Sequence, residues 1–261
     1  MKKVIVSGLG KMGAQLIKTI EQQEGMRVVA IIEPIQEIPF YKTNLKQYPV
    51  FKKAENAFKD HQADVVVDFS NSVFTAMLAP LVFKAKMRFV VGTSNLSQKT
   101  IALIQAASKK HQLGCVIAPN FALGAVLMMH FSEKAAAFYE VAEIIEKHHD
   151  EKIDSPSGTA METAERMIKN NPKPFKSNVS KHEKVANARG GEVNGIRLHS
   201  IRLPGVIAGQ QVILSGEEEE LTISHNSIGR KSFMPGIILA IKHVFSHDDY
   251  VFGLDKILKI N

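Results

Sequence analysis

Short apolar runs and helical patterns alternate along the first 121 residues of the chain. Residues 3–7 form a β-rich run that ends in a cluster of glycines. Residues 14–22 follow, with Leu16, Ile17 and Ile20 on one helical face. Residues 28–32 predict a second strand. Residues 64–68, Asp-Val-Val-Val-Asp, are apolar between polar ends, the pattern of a strand buried on both faces. A helix over 75–85, a strand over 88–91, a helix over 97–110 with Ser97 as N-cap and a strand over 114–118 extend the alternation. The order β-α-β-α predicts an α/β fold: a Rossmann-type, doubly wound parallel sheet.

The pattern changes after Phe121. Residues 123–139 read as a helix, 141–145 as a buried strand and 160–168 as a helix. A polar stretch, 171–191, reads as a long mobile loop of the kind that forms lids. Apolar runs at 196–203, 206–207, 211–214 and 221–225 are separated by Pro204-Gly205, Gly209 and Ser215-Gly216. They predict a C-terminal α+β domain with a mainly antiparallel sheet. The acidic run 217–220 is a solvated hairpin end. Residues 232–245 return to helical spacing, and 251–258 mix helix and strand. Two domains are expected: 1–121, with 231–261 packing back on it, and 122–230.

The glycine cluster is Gly8-Leu9-Gly10-Lys11-Met12-Gly13, G-x-G-x-x-G between a strand and a helix. In that context the glycines permit a tight turn and close approach of a pyrophosphate, which the helix N-terminus stabilises. The second strand ends at Glu33, twenty residues beyond Gly13, where an acid is expected to accept hydrogen bonds from a ribose. Dinucleotide binding follows. Gly92-Thr93-Ser94 and Ala118-Pro119-Asn120-Phe121 end later strands and are candidate walls of the same site. The plainer reading of both is ordinary loop chemistry between strand and helix.

Between the strand over 141–145 and the helix from 160 lie Glu146, Lys147, His148, His149, Lys152 and the turn Ser157-Gly158-Thr159. Consecutive histidines on an extended backbone point to opposite sides, so one can face a substrate. Histidine is a natural proton donor near neutrality, and Lys152 is close enough to orient an anion. The Ser157-Gly158-Thr159 turn offers amides and hydroxyls to a carboxylate. Competing readings are a metal site made with Asp150 and Asp154, a solvated loop, and Ser157 as an N-cap alone.

The net charge of +7 favours anionic partners, but the basic residues are scattered and no arginine-rich arm or lysine–aromatic stripe exists, so nucleic acid is not expected. A small anionic substrate or a phosphate-bearing cofactor fits as well. No apolar stretch has the length of a membrane span, and the N-terminal apolar run is too short for a signal peptide. The single cysteine, Cys115, excludes an internal disulfide and points to the cytoplasm.

Residues 146–160, E-K-H-H-D-E-K-I-D-S-P-S-G-T-A, resemble the signature of the dihydrodipicolinate reductase family, departing where Ser155 replaces the usual alanine. Lys11-Met12-Gly13, Asp68-Phe69-Ser70, Gly92-Thr93-Ser94, Asn120-Phe121, His199-Ser200-Ile201-Arg202 and Arg230 with Phe233 and Gly236 follow in the family's order. Two features depart from its pattern: Ser7 stands where a glycine is usual, and Pro34 where some relatives carry arginine. The resemblance implies an oxidoreductase that uses NADH or NADPH to reduce a small cyclic dicarboxylate in the diaminopimelate route of lysine biosynthesis. It implies His148 as proton donor and Lys152 as the second catalytic group, with His149, Ser157, Gly158 and Thr159 on the substrate carboxylates. It gives the cofactor to Gly8, Leu9, Gly10, Lys11, Met12, Gly13, Glu33, Gly92, Thr93, Ser94, Ala118, Pro119, Asn120, Phe121 and Arg230. It also implies a homotetramer assembled through the C-terminal sheets. The alternatives are another two-domain NAD(P)-dependent dehydrogenase of amino acids or sugars, and a non-catalytic dinucleotide sensor.

Overall fold

The computed structural model describes residues 1–177 and 182–260. The chain divides into two compact units, Met1–Phe121 with Phe233–Lys259, and Ala122–Ser232. The fold is α/β, with one mostly parallel sheet and a second that is mainly antiparallel.

In the first unit, β1 (Lys2–Ser7) leads through the glycine cluster into α1 (Lys11–Ile20), whose Leu16, Ile17 and Ile20 are fully buried. Then come β2 (Met26–Ile32), β3 (Phe40–Lys42), β4 (Gln47–Phe51) and α2 (Ala54–Asp60). The hairpin β3–β4 and helix α2 fill the stretch between Glu33 and Asp64, where Pro34, Pro39 and Pro49 break any clean periodicity. Next follow β5 (Val65–Asp68), α3 (Ser72–Lys84), β6 (Arg88–Val91), α4 (Gln98–His111) and β7 (Cys115–Ile117). Asn71 caps α3 by accepting from the Phe74 amide, and Ser97 caps α4 by accepting from Thr100. All four residues of β5 are buried, which explains their unbroken apolar run. The sheet order is β7-β6-β5-β1-β2-β4-β3, with one further strand from the chain's end beyond β7. Every pair is parallel except β3–β4.

The second unit opens with α5 (Leu123–Ala136) and β8 (Val141–His148), followed by α6 (Gly158–Asn170), β9 (Gly191–Val193), β10 (Ile196–Arg202), β11 (Ala208–Gly216) and β12 (Glu219–Ser227). Its sheet runs β12-β11-β8-β10-β9. Ala142, Ile144, Leu198, Val212 and Leu214 pack with α5 and α6 residues in one core. One local expectation changes. The strand expected over 141–145 alternates buried and half-buried positions and runs three residues further, so His148 ends a strand instead of lying in a turn. The second sheet is mainly antiparallel, as expected, and its one parallel pair among the described residues is β8 with β10. The segment β8–α6–β10 is therefore a βαβ crossover, and it brings the ends of β8 and β10 together beside the start of α6.

Of the stretch 171–191, residues 178–181 lie outside the described residues. Its first part is anchored: Phe175 is buried in the core, and the Lys176 amide donates to the Glu140 carbonyl. The chain closes in the first unit with α7 (Met234–Ser246), β13 (Tyr250–Phe252) parallel to β7, and α8 (Asp255–Leu258). Among the described residues, no helix is long and apolar enough to cross a membrane.

Candidate active site

Three glycines shape the loop between β1 and α1, each for a different reason. Gly8 has φ +88°, and a Cβ there would lie 2.6 Å from the Phe69 carbonyl oxygen. A Cβ on Gly13 would lie 1.9 Å from the Gly8 carbonyl oxygen, so the helix and loop touch there. Gly10 is the N-cap of α1, has no side-chain cap, and would present a Cβ to open space. The helix N-terminus is thus left for an anion.

Glu33, the residue after β2, is buried and holds this loop. Its carboxylate accepts from the Leu9 amide at 2.7 Å and from the Ile35 amide at 3.0 Å. A carboxylate has further lone pairs, so ribose hydroxyls remain compatible with it. Gly8, Gly10 and Glu33 line a cavity of about 250 Å³ together with Gln36, Phe69 and Asn71. It lies between β1 and β5, the strands where the sheet's winding reverses, as expected for a dinucleotide crevice. The turn Phe69-Ser70-Asn71 joins this wall although its sequence marks only a turn.

The neighbouring strand ends are tied to the same edge through Asp68. This fully buried carboxylate accepts from Ser7 Oγ at 2.7 Å, Ser70 Oγ at 2.6 Å, Thr75 Oγ1 at 2.5 Å and Thr93 Oγ1 at 3.1 Å. Ser7 thus gives β1 a side-chain link that a glycine would lack. Gly92 admits the Phe69 ring, since a Cβ there would lie 2.1 Å from it, and Phe69 packs on Phe121 at 5.8 Å between centroids. Ala118 and Phe121 are buried, whereas Lys11, Ser94 and Pro119 are exposed. Arg230 lies on a short 3-10 turn, Arg230–Phe233, and belongs to the second unit with Ser232 and the residues before it.

In the second unit, His148 and Glu146 are two apart on β8 and share its helix side. Glu146 Oε2 meets His148 Nδ1 at 2.6 Å. Arg202, beside His148 at the end of β10, forks onto both Glu146 oxygens at 2.9 and 2.8 Å. The Ser157 amide adds a 3.3 Å bond to Glu146 Oε1. Burial works to raise the Glu146 pKa, yet the hydrogen bonds from His148, Arg202 and Ser200 hold it down to about 2. Arg202 also donates to the Asp154 carbonyl at 2.8 Å, fixing the loop after β8. Lys152 on that loop pairs with the Asp154 carboxylate at 2.6 Å and keeps its pKa low.

Ser157 is the N-cap of α6, its Oγ accepting from the Ala160 amide at 3.2 Å. Gly158 is exposed, with open space where a Cβ would be. His149 is half-buried, and among the described residues its Nδ1 has no hydrogen-bond partner. Below the helix, Gln210 donates to Thr163 Oγ1 at 2.8 Å, and Thr163 donates to the Thr159 carbonyl at 2.7 Å. The structure thus links His148, through Glu146 and Arg202, to the Ser157 amide and to the loop that carries Lys152, while Gln210 reaches the turn only through Thr163. Among the described residues, no group of three or more His, Cys, Asp or Glu is placed to hold a metal ion.

Both halves of the chain match family models. Residues 2–121 match "Dihydrodipicolinate reductase, N-terminus" and residues 124–258 match "Dihydrodipicolinate reductase, C-terminus". The chain belongs to the dihydrodipicolinate reductase family. A 4-hydroxy-tetrahydrodipicolinate reductase of Oceanobacillus iheyensis is 38% identical over 262 residues, covering 98% of both chains. One of Dehalococcoides mccartyi is 38% identical over 264 residues, covering 99% of this chain and 98% of its own. The structure of a dipicolinate-bound dihydrodipicolinate reductase from Paenisporosarcina sp. TG-14 superposes with a TM-score of 0.86 at 35% identity, covering 98% of this chain and 99% of that one. A probable dehydrogenase from Thermotoga maritima shares the fold alone, at 12% identity and a TM-score of 0.65.

Proposed function

We propose that the two units divide the work of a 4-hydroxy-tetrahydrodipicolinate reductase, the activity named for the family's members, on the diaminopimelate route to lysine. The first unit carries all but one of the residues assigned to NADH or NADPH, which supplies the hydride when bound; Arg230 belongs to the second. The second binds the cyclic dicarboxylate and supplies the proton. The observation that carries this reading is the 2.6 Å bond from His148 to Glu146 at a strand end beside the α6 N-terminus. The dipicolinate in the Paenisporosarcina enzyme is a small dicarboxylate of the same class.

In this reading His148 gives its proton to the ring, and Lys152 is the second catalytic group. His149, Ser157, Gly158 and Thr159 hold carboxylate at the positive end of α6. Gly8 to Gly13, Glu33, the Gly92-Thr93-Ser94 and Ala118–Phe121 turns and Arg230 hold the cofactor. An assay that follows loss of nicotinamide absorbance tests the activity. Turnover of the dihydrodipicolinate precursor is expected, with none of amino acids or sugars; the reverse pattern would overturn the reading.

NADH is expected to bind at least about tenfold more tightly than NADPH, a difference of roughly 1.4 kcal/mol. A 2′-phosphate would stand beside the Glu33 carboxylate, and each like-charge pair near a surface costs between about 1 and 4 kcal/mol. Titrations of both cofactors, side by side, check this; Glu33→Gln should narrow the gap, and equal affinities for the parent would refute it.

The reading extends to a homotetramer working in the cytoplasm. The sheet face away from α5 and α6 presents Ile145, Ile201 and Ile213 between polar side chains, a surface that the sheet of a second copy would bury. The free, buried thiol of Cys115 suits a reducing compartment.

A further inference from the structure

Glu146 has no part in the proposed function except as a neighbour of His148, yet its charge is tightly held. Its carboxylate is fully buried, and it accepts from four directions: the His148 ring, both ends of the Arg202 fork, the Ser157 amide and Ser200. Isolated carboxylates are not kept in such places, because burial without partners disfavours the charge strongly. Arg202 is the compensating cation. It lies 56 positions away in sequence and reaches Glu146 only because β8 and β10 are parallel neighbours.

An ionised carboxylate can only accept hydrogen bonds, so the proton between Glu146 Oε2 and His148 Nδ1 belongs to the ring. That fixes the ring's tautomer and its rotation together. Nδ1 keeps its proton, and Nε2 becomes the nitrogen that takes up and releases one. The His148 side chain keeps 17% of its exposure, so one edge of the ring stays open. The same carboxylate grips the Ser157 amide, and the same Arg202 grips the Asp154 carbonyl. The ring, the turn that opens α6 and the loop carrying Lys152 are thereby referred to one point.

We infer that Glu146, clamped by Arg202, is a positioning residue for the proton donor, holding His148 with Nδ1–H inward and Nε2 toward the substrate. This rests on the reading of His148 as proton donor. Glu146 touches neither substrate nor cofactor in this role, and its effect on proton transfer runs through His148. Arg202 is its support, and replacing the fork with lysine would keep the charge but lose the two-point grip.

Three measurements test it. With 15N-labelled histidine in the full-length protein, the His148 signal, assigned by its absence in His148→Gln, should show the neutral ring protonated at Nδ1. An Nε2–H neutral ring would overturn the proposal without any variant of Glu146. Second, Glu146→Gln should lower kcat by at least tenfold with KM changed less than threefold, and Glu146→Asp should recover part of the loss. Third, Glu146→Gln should cost no further loss of kcat in a His148→Gln background, because the proton donor that it orients is already gone. Full additivity of the two losses would overturn it. If His148→Gln itself keeps full activity, the proton-donor reading fails first, and the ring signal still reports whether Glu146 sets the tautomer. If Glu146→Gln does not fold, the labelled parent protein decides.

Discussion

Replacing His148 by glutamine is expected to lower kcat by roughly 100-fold to 10,000-fold, the range for loss of a positioned general acid. At about 1.36 kcal/mol per factor of ten, that is ~3–5 kcal/mol of transition-state stabilisation. Glutamine is the informative substitution because its amide N–H can still donate to Glu146. The buried carboxylate then keeps its partner, and about 1–3 kcal/mol of desolvation penalty is avoided. What glutamine lacks is a nitrogen that can hold and release a proton near neutral pH. The affinity for NADH should be unchanged, since the cofactor loop belongs to the other unit, with its own core. Single-turnover rates and cofactor titration on the same preparation separate the two. Full activity in this variant would mean that the ring takes its proton elsewhere, and Lys152→Gln would then be the variant to test.

The glycine loop was readable in the sequence because its chemistry is local. Three glycines, a preceding strand and a following helix occupy adjacent positions, and the contact of Gly13 with Gly8 lies inside that span, although Gly8 also closes against the distant Phe69 carbonyl. The acid-bearing segment from Glu146 to Thr159 was readable for the same reason. Glu146 itself could have been singled out: two residues before His148 on a strand, it must share that residue's side. Arg202 could not, because nothing local says that β10 lies parallel to β8, and the runs around it point instead to an antiparallel meander. The role of Glu33 divides in the same way. Its distance from Gly13 marks it as the acid of a nucleotide site, but its bonds to the Leu9 and Ile35 amides involve backbone groups that any sequence carries. The hairpin over Phe40–Phe51 was invisible because its strands are short and Pro49 interrupts the pattern of the second one.

Gly13→Ala is expected to damage both the fold and cofactor binding. Alanine inside a helix is ordinarily favoured over glycine by about 0.5–1 kcal/mol, and α1 gives no reason for an exception in its own backbone. The exception comes from the loop before it. The added Cβ would lie 1.9 Å from the Gly8 carbonyl oxygen, a backbone atom that cannot swing aside. Gly8 is itself fixed, at φ +88° and against the Phe69 carbonyl, so relief must come from moving the loop away from α1. Overpacking of this kind costs about 1–3 kcal/mol, which outweighs the helix-propensity gain. Each kcal/mol should lower the melting temperature by roughly 2–4 °C for a chain of this size. Moving the loop also pulls the Leu9 amide from Glu33, so the affinity for NADH should fall by at least about tenfold, or ~1.4 kcal/mol. Gly10→Ala is the control that separates the two effects. Its backbone is extended, at φ −71° and ψ −172°, and nothing lies within 4 Å of the added carbon, so the melting temperature should be that of the parent. The methyl group would nevertheless project beside the cavity at the helix N-terminus and weaken NADH binding alone. Calorimetry and cofactor titration of the two variants should thus give a double loss at Gly13 and a single loss at Gly10. A Gly13→Ala protein with parental melting and affinity would show that the loop is not held against α1 at all.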